Sequence, residues 1–217
     1  MILYYYEHCP FCTFVRAFAG IKGIRLKRQL MAFADIETPT ELCGKKQAPI
    51  LQKNDFGILI ESQAIVQYLD ALKDQSIAKD MRVDPDILRI LQRFSSVHLS
   101  LTSPRFVQYE GIEFDQDADK ERYRKREEAL MSLSFEDALQ RTQYLKDKMN
   151  ELLDNQLLPT LKLKAFDKMN ILTELELFVF MRKLTIVEGY QFPPSFESFY
   201  TIIKARTGLP DYSTIAI

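Results

Sequence analysis

The chain changes character near residue 73, and this change constrains its fold more than any other feature of the sequence. Before it, short apolar runs are separated by turn residues in the order strand, helix, strand, helix, strand, strand, helix. After it, apolar residues recur at helical spacing over long stretches. The pattern predicts a small α/β domain over residues 1–72, a polar linker over 73–84 and an all-helical domain over 85–217.

Composition argues against several classes of protein. The 217 residues are 47% hydrophobic, which is enough for a packed core. Lys and Arg total 29 against 30 for Asp and Glu, and this balance argues against a nucleic-acid binder or a polybasic membrane-surface protein. No apolar stretch approaches the roughly 18 residues of a membrane span, and no secretory signal is recognisable. We expect a cytoplasmic monomer that binds neither nucleic acid nor membrane.

Several helix starts carry capping signals. Thr38–Glu41 and Thr173–Glu176 have the pattern of capping boxes. Ser62 and Ser134 are placed to act as N-caps, and the Ser134 helix is expected to continue toward Leu153.

The segment 117–128 is rich in charges of alternating sign. Such a segment can form a docking face, but a charge run is more often the solvated face of a helix. We interpret it as a solvated face.

The stretch that carries chemistry is His8-Cys9-Pro10-Phe11-Cys12, at the junction of the first predicted strand and helix. Pro10 suits the first helical position, so Cys9 becomes the N-cap. The N–H groups of Phe11 and Cys12 then point at the Cys9 sulfur, and the positive end of the helix favours a thiolate. In such places the pKa of a cysteine falls from about 8.5 into the range of about 3.5–7.5. We interpret Cys9 as an exposed nucleophile and Cys12, one turn on, as its resolving thiol.

A metal site and a purely structural role are the two other uses that these cysteines could have. A zinc site needs a second pair of ligands, and only Cys43, His8 and His98 remain, without a recognisable spacing. Two buried structural cysteines would suit an isolated C-x-x-C, but the strand–CPxC–helix context favours redox chemistry. We interpret Cys43 as a small packing residue and His8 as an incidental neighbour of the thiols. No metal and no tightly bound cofactor are expected.

Three segments together resemble the glutathione-binding frame of glutaredoxins and glutathione transferases. They are Cys9-Pro10-Phe11-Cys12, Gln47-Ala48-Pro49-Ile50-Leu51 and Glu61-Ser62-Gln63-Ala64-Ile65. The resemblance spans the whole chain and is greater to the large bacterial glutaredoxins that carry a helical, transferase-like domain. It implies an α/β thioredoxin-like N-terminal domain, with Pro49 in the cis form, and an all-α glutathione-transferase-like C-terminal domain.

The resemblance also implies which residues bind glutathione. They are Cys9, Pro10, Phe11, Ala48, Pro49, Glu61 and Ser62. The backbone of Ala48 would pair with glutathione like an added strand. Glu61 and Ser62 would hold the amine and carboxylate of the γ-glutamyl end, although the pair would serve equally as a helix start. Lys45 or Gln47 would meet the glycyl carboxylate.

The sequence departs from the glutaredoxin pattern at three places. Phe11 keeps the aromatic ring of a frequent Tyr but loses its hydroxyl. Glu7-His8 stands where small glutaredoxins often have a Lys, so the thiolate depends more on the helix terminus. Ala48 is smaller than the Val common at its position.

The resemblance implies a glutathione-dependent thiol–disulfide oxidoreductase, with glutathione as co-substrate and glutathionylated or disulfide-bonded proteins as substrates. Cys9 would take glutathione from a substrate, and a second glutathione would then remove it from Cys9. Cys12 would resolve protein disulfides. Two alternatives remain open. One is a glutathione S-transferase acting on electrophiles, which needs no second cysteine. The other is a non-catalytic interaction protein on the same fold.

Overall fold

The computed structural model describes residues 1–73, 75–109, 112–163 and 169–217; residue 74 of the predicted linker lies outside this description. The first part of the chain forms a four-stranded sheet with three helices, in the predicted order. Its elements are β1 Ile2–Tyr5, α1 Pro10–Ile21, β2 Lys27–Leu30, α2 Glu37–Cys43, β3 Ile50–Gln52, β4 Ile58–Ile60 and α3 Ser62–Ala71. The strand order is β2-β1-β3-β4, with β1 and β2 parallel and the other pairs antiparallel. The expected thioredoxin-like fold is confirmed.

The sheet register brings distant parts of the sequence to one edge. Tyr4 pairs with Ile50, and Ile50 pairs with Ile60. The end of β1, the start of β3 and the end of β4 therefore lie side by side. The residues that follow β1, precede β3 and follow β4 meet at this edge, although they are up to about fifty residues apart in sequence.

The rest of the chain is helical, as expected. Its elements are α4 Pro85–Phe106, a 3₁₀ turn Ile112–Phe114, α5 Asp117–Met131, α6 Phe135–Gln140, α7 Thr142–Leu152, a π-helical turn Leu153–Leu157, α8 Leu158–Leu163, α9 Ile171–Leu184, α10 Pro194–Thr207 and a 3₁₀ turn Ser213–Ile215. Within the described residues, no helix combines the length and the apolar character that crossing a membrane requires.

Helix α1 joins the two parts of the molecule. It packs against α3 on the sheet side and against α9 and α10 on the helical side. The approach to α10 is close, since a Cβ atom at Gly20 would lie 1.9 Å from the carbonyl oxygen of Thr207. Glycine is required at this position because any side chain would push the two helices apart.

Of the four capping signals at Thr38, Ser62, Ser134 and Thr173, only the one at Ser134 is confirmed. In α9 the cap is Asn170, whose side chain accepts the N–H of Thr173 at 2.9 Å. Thr173 uses its hydroxyl to accept the N–H of Asp84 at 2.9 Å. Ser134 does cap α6, accepting the N–H of Asp137 at 3.1 Å, but the helix it starts is interrupted at Arg141.

The other two errors fall in the sheet part. Helix α2 begins at Glu37, before the predicted box, and Asp35 accepts the N–H of Thr38 at 2.9 Å. Ser62 is the first residue of α3 and makes no capping bond, because the chain enters the helix through Glu61. In each case a residue upstream of the expected one occupies the N-cap or accepts the free N–H.

Candidate active site

Cys9 lies at the start of α1 as its N-cap, as the sequence predicts. Its sulfur accepts the N–H of Cys12 at 3.4 Å. A hydrogen bond from the Cys12 thiol, the charge of His8 and the N–H groups of Cys12 and Phe11 outweigh the effect of burial and lower the pKa of the Cys9 thiol to about 7. Burial, together with the hydrogen bond to Cys9, raises the pKa of the Cys12 thiol well above its usual value. The two thiols are therefore unequal, and Cys9 is the one that ionises near neutral pH.

The expectation that Cys9 is exposed is wrong. The residue is 8% exposed, and Cys12 is fully buried behind it. Cys9 opens instead into a cleft of about 640 Å³ between the sheet part and the helical part. A substrate can therefore reach the thiol through this cleft.

The segment before Cys9 is held by a carboxylate of the helical part. Glu113, in the turn between α4 and α5, accepts the backbone N–H of Glu7 at 2.7 Å and hydrogen-bonds Nδ1 of His8. The imidazole is packed among four aromatic rings, those of Tyr6, Phe33, Phe114 and Tyr123. His8 is thus fixed beside the thiols, and it is not the incidental neighbour that the sequence suggested.

A second contact joins the same segment to α9. The Glu7 carboxylate lies 2.7 Å from Arg16 of α1 and 2.9 Å from Arg182 of α9. Burial acts to raise the pKa of Glu7, but the two guanidinium groups outweigh it and lower the pKa. Arg182 is only 1% exposed and also donates to the Pro210 carbonyl at 2.8 Å. The Glu7 and Glu113 contacts both depend on the helical part, so it helps to position the CPFC turn.

The residues expected to bind glutathione line two adjoining cavities. Cys9, Pro10, Phe11 and Ala48 line the cleft. A smaller pocket of about 90 Å³ beside it is lined by Phe11, Gln47, Ala48, Pro49, Glu61 and Ser62. The Ala48–Pro49 peptide bond is cis, which confirms that expectation. The structure thus brings all seven residues together, as the sheet register requires.

The conformation of Glu61 is unusual for a residue with a side chain. Its φ is +68° and its ψ is +122°, an arrangement that costs a non-glycine residue about 1–3 kcal/mol. Its carbonyl accepts the N–H of Ile65 at 3.0 Å, while its carboxylate makes no hydrogen bond or ion pair with the described residues. The strain places an exposed carboxylate at the mouth of the small pocket, where the γ-glutamyl amine of glutathione is expected.

Two polar residues at the site carry buried groups without a partner among the described residues: Gln47, which the sequence offered as an alternative to Lys45, and Tyr6, which it did not single out. Gln47 lines both cavities, and its Nε2 is buried without a partner among the described residues. Lys45, the alternative named with it, is exposed and does not line either cavity. Tyr6 also lines the cleft, and its buried hydroxyl has no partner in the described part of the chain. Nothing in the spacing of these residues signals this placement.

The far wall of the cleft comes from the helical part. It is lined by Leu99 of α4, by Arg122, Tyr123, Arg126, Glu127 and Leu130 of α5, and by Lys183 of α9. The interpretation of 117–128 as a solvated face is therefore only partly right. Tyr123 and Glu127 are buried, and Arg122 and Arg126 face the cleft, while Lys125 points to solvent. The only sign in the sequence that this helix has a buried face was Tyr123, which lies at helical spacing from Asp119 and Glu127.

The remaining cysteine and histidine are placed away from this chemistry. Cys43 is half-buried in α2, and its thiol donates to the carbonyls of Pro39 and Lys45 at 3.1 and 3.3 Å. His98 is buried in α4 and hydrogen-bonds the carbonyl of Phe180 at 2.9 Å. Across the described ranges, no cluster of three or more His, Cys, Asp or Glu side chains is arranged to hold a metal ion.

Comparisons with known proteins agree with this geometry. Residues 86–216 match the family model "Glutaredoxin 2, C terminal domain", and residues 3–76 match "Glutathione S-transferase, N-terminal domain". Glutaredoxin 2 of Escherichia coli (strain K12) is 31% identical over 227 aligned positions that cover both chains completely. The crystal structure of glutaredoxin 2 from Salmonella typhimurium, in complex with glutathione, is also 31% identical. It superposes with a TM-score of 0.87 over 100% of this chain and 98% of that one.

A more distant structure shows how widely the fold is shared. A glutathione transferase from Phanerochaete chrysosporium, 15% identical, superposes with a TM-score of 0.60 over 97% of this chain and 98% of that one. At this identity the likeness concerns the fold alone. The full-length identity to the Escherichia coli protein and the match of the whole helical part decide the family: the chain belongs to the glutaredoxin 2 family.

Proposed function

We propose that this glutaredoxin, a glutathione-dependent thiol–disulfide oxidoreductase, uses Cys9 as its nucleophile and Cys12 as its resolving thiol. The observation that carries the assignment is the placement of the Cys9 sulfur at the start of α1, where it accepts the Cys12 N–H. The lowered pKa of Cys9 and the raised pKa of Cys12 give the two thiols different roles. Only the thiolate attacks a disulfide efficiently.

The proposed reaction has two steps. The Cys9 thiolate attacks the glutathione sulfur of a glutathionylated protein, and the bond between the glutathione and protein sulfurs breaks. The protein sulfur leaves with the electron pair and takes a proton. The thiolate of a second glutathione then attacks the Cys9-bound glutathione, releasing oxidised glutathione and the Cys9 thiolate. With a protein disulfide, Cys12 instead attacks the mixed disulfide at Cys9, and two glutathione molecules later reduce the Cys9–Cys12 disulfide.

We assign glutathione to the small pocket and the adjoining edge of the cleft. The related Salmonella typhimurium structure contains glutathione, which supports a glutathione site on this fold. The Ala48 backbone would pair with the tripeptide, and the Glu61 carboxylate and Ser62 N–H would hold its γ-glutamyl end. The unpartnered amide of Gln47 is better placed than Lys45 to donate to the glycyl carboxylate.

The remaining assignments follow from this chemistry. We propose that the protein acts in the cytoplasm, because the reaction uses reduced glutathione and free thiols. We propose that it acts as a monomer on glutathionylated or disulfide-bonded proteins, since one chain supplies both walls of the cleft.

The test is glutathione-dependent reduction of a small mixed disulfide by the wild type, Cys9→Ser and Cys12→Ser. Cys9→Ser should abolish the activity, because a hydroxyl is a far poorer nucleophile than a thiolate at neutral pH. Cys12→Ser should keep much of it, because the second glutathione replaces the resolving thiol. If Cys12→Ser were as inactive as Cys9→Ser, the two-step scheme with glutathione would be wrong. A generic electrophile, assayed in parallel, tests the alternative transferase activity.

A further inference from the structure

The wall of the cleft that faces Cys9 is strongly cationic. Four basic side chains line the cleft, and we call them the cationic wall: Lys46 after α2, Arg122 and Arg126 of α5, and Lys183 of α9. Glu127 is the one carboxylate among the described lining residues. It is already bound to Arg126 at 2.7 Å and to the Ser103 hydroxyl at 2.8 Å. The cleft therefore carries an excess of positive charge.

Lys183 shows that this charge is not merely a solvated surface. The residue is 7% exposed, and its ammonium group forms no hydrogen bond or ion pair with any described residue. Nζ lies 5.3 Å from the centroid of the Phe106 ring. Burial lowers the pKa of Lys183, while the charges of Glu127 and Cys9 oppose that change. The ammonium group lines the cleft without a bonded partner among the described residues, and the charges of Glu127 and Cys9 act on it only from a distance, so an anion in the cleft would be favoured beside it.

The other cations are gathered at the same place. Burial, followed by the charges of Arg122 and Arg126, lowers the pKa of Lys46. Lys46 donates to the carbonyl of Phe33, and Arg126 lies over the Phe33 ring at 5.2 Å. Arg122 is exposed and makes no ion pair within the described ranges. The Asp119 carboxylate acts on both Lys46 and Arg122 and offsets part of the repulsion among these cations. An anion bound in the cleft would relieve the rest.

The glutathione of the proposed function leaves most of the cleft free. In that function the γ-glutamyl end of glutathione lies at the small pocket of about 90 Å³ and its sulfur lies at the edge of the cleft beside Cys9; the two cavities share Phe11, Gln47 and Ala48. The rest of the cleft, of about 640 Å³ in all, remains for the other half of the mixed disulfide. When Cys9 attacks the glutathione sulfur, the protein thiol leaves on the side away from Cys9, past the cationic wall.

We infer that the cationic wall binds an acidic side chain of the substrate protein beside its glutathionylated cysteine. The inference rests on the proposed function and adds a substrate class to it. Acidic sequences around the modified cysteine would be preferred, and basic ones would be rejected by like-charge repulsion.

The test is a single-turnover measurement in the Cys12→Ser background, without free glutathione. Excess protein is mixed with glutathionylated peptides of one length, whose cysteine is flanked by Asp, Asn or Lys. The release of the peptide thiol is followed over time. Because every peptide carries the same glutathione, the ratio of release rates reports only the flanking residues. We expect the Asp peptide to be released about tenfold faster than the Lys peptide, and salt to reduce the ratio.

Variants of the lining residues show which side chains produce the preference for the Asp peptide. Lys183→Gln and Arg122→Gln should each lower the Asp-to-Lys ratio by about threefold, and Arg122→Glu should reverse it. Lys125→Gln is the matched control, since Lys125 is 74% exposed on the same helix, pairs with Glu121 and does not line the cleft. The ratio compares two substrates of one protein, so it is insensitive to a loss of folded fraction.

The outcomes separate the two proposals. Cys9-dependent release with an Asp-to-Lys ratio near one would overturn the inference and leave the proposed function standing. An equal fall of the ratio in Lys125→Gln and Arg122→Gln would also overturn it, because the electrostatic potential of the whole protein surface would then explain the preference. Absence of release from every peptide would overturn the proposed function as well.

Discussion

At the scale of single residues, the acidity of Cys9 depends on donors within one turn of α1. The Cys12 thiol contributes most, ahead of the charge of His8 and the backbone N–H groups. This arrangement compensates for the missing lysine before the first cysteine. It also means that Cys12 has a role when it is not a resolving thiol, because it stabilises the Cys9 thiolate by a hydrogen bond.

The first prediction concerns the pH dependence of alkylation at Cys9, measured in the Cys43→Ser background. The pKa of Cys9 is lowered, so its thiolate fraction and the rate should rise as the pH increases through about 7. Cys12→Ala should move the midpoint to higher pH, because the largest donor is lost. Cys12→Ser should move it less, because a hydroxyl still donates. A midpoint at the value of a free cysteine, about 8.5, in all three proteins would refute this account.

The second prediction concerns Glu61→Gln, which keeps the size and backbone strain of the residue and removes its charge. The KM for a glutathionylated substrate should rise by about tenfold, at the lower end of the range for a lost charged hydrogen bond, because the carboxylate is exposed. With a mixed disulfide that lacks the γ-glutamyl group, the KM should change little. Equal increases with both substrates would show that Glu61 supports the fold without recognising glutathione.

At the scale of helices and strands, the sequence predicts a helix start well where a single residue is suited to be the N-cap. Cys9 is followed at once by Pro10, which fixes the helix start and makes the cap predictable. At Thr38, Ser62 and Thr173 a residue slightly upstream occupies the cap or accepts the free N–H instead. The capping pattern is short, so several neighbouring residues satisfy it, and the path of the incoming chain decides among them.

The third prediction tests the cap of α9. Asn170→Ala should lower the free energy of unfolding by about 1 kcal/mol, because the N–H of Thr173 loses its acceptor. Asn170→Asp should retain most of the stability, since a carboxylate accepts the same bond. Urea unfolding measures both. If the alanine variant were as stable as the wild type, the helix start would not depend on Asn170.

At the scale of the whole molecule, the site belongs to both parts of the chain. We propose residues 1–72 and 85–217 as two domains joined by 73–84. Glu7 and His8 are held by Arg182 and Glu113, which are more than one hundred residues away in sequence. No periodicity or local motif encodes such pairs. The sequence therefore predicted the thiols from a local motif and the glutathione-binding residues from a family resemblance. It did not predict the wall of the cleft that the helical part forms.

The fourth prediction tests the coupling of the two parts. Arg182→Met should destabilise the protein by about 3 kcal/mol, because it leaves the Glu7 carboxylate with Arg16 alone in a largely buried place. Adding Glu7→Gln should cost less than the sum of the two single changes, which a double-mutant cycle by urea unfolding would show. The exposed Arg89 provides the control, and Arg89→Met should change stability by less than about 0.5 kcal/mol. Strict additivity of Glu7→Gln and Arg182→Met would mean that the ion pair does not join the domains.

The central claim is that Cys9 carries glutathione during the reaction, and mass spectrometry of a trapped intermediate tests it most directly. Cys12→Ser protein is mixed with a glutathionylated peptide, quenched at low pH and digested, and each cysteine-containing fragment is weighed. We predict one glutathione per chain, bound to the fragment that contains Cys9, with Cys43 unmodified. Glutathione on Cys43, or release of the peptide thiol with no adduct at Cys9, would contradict the account.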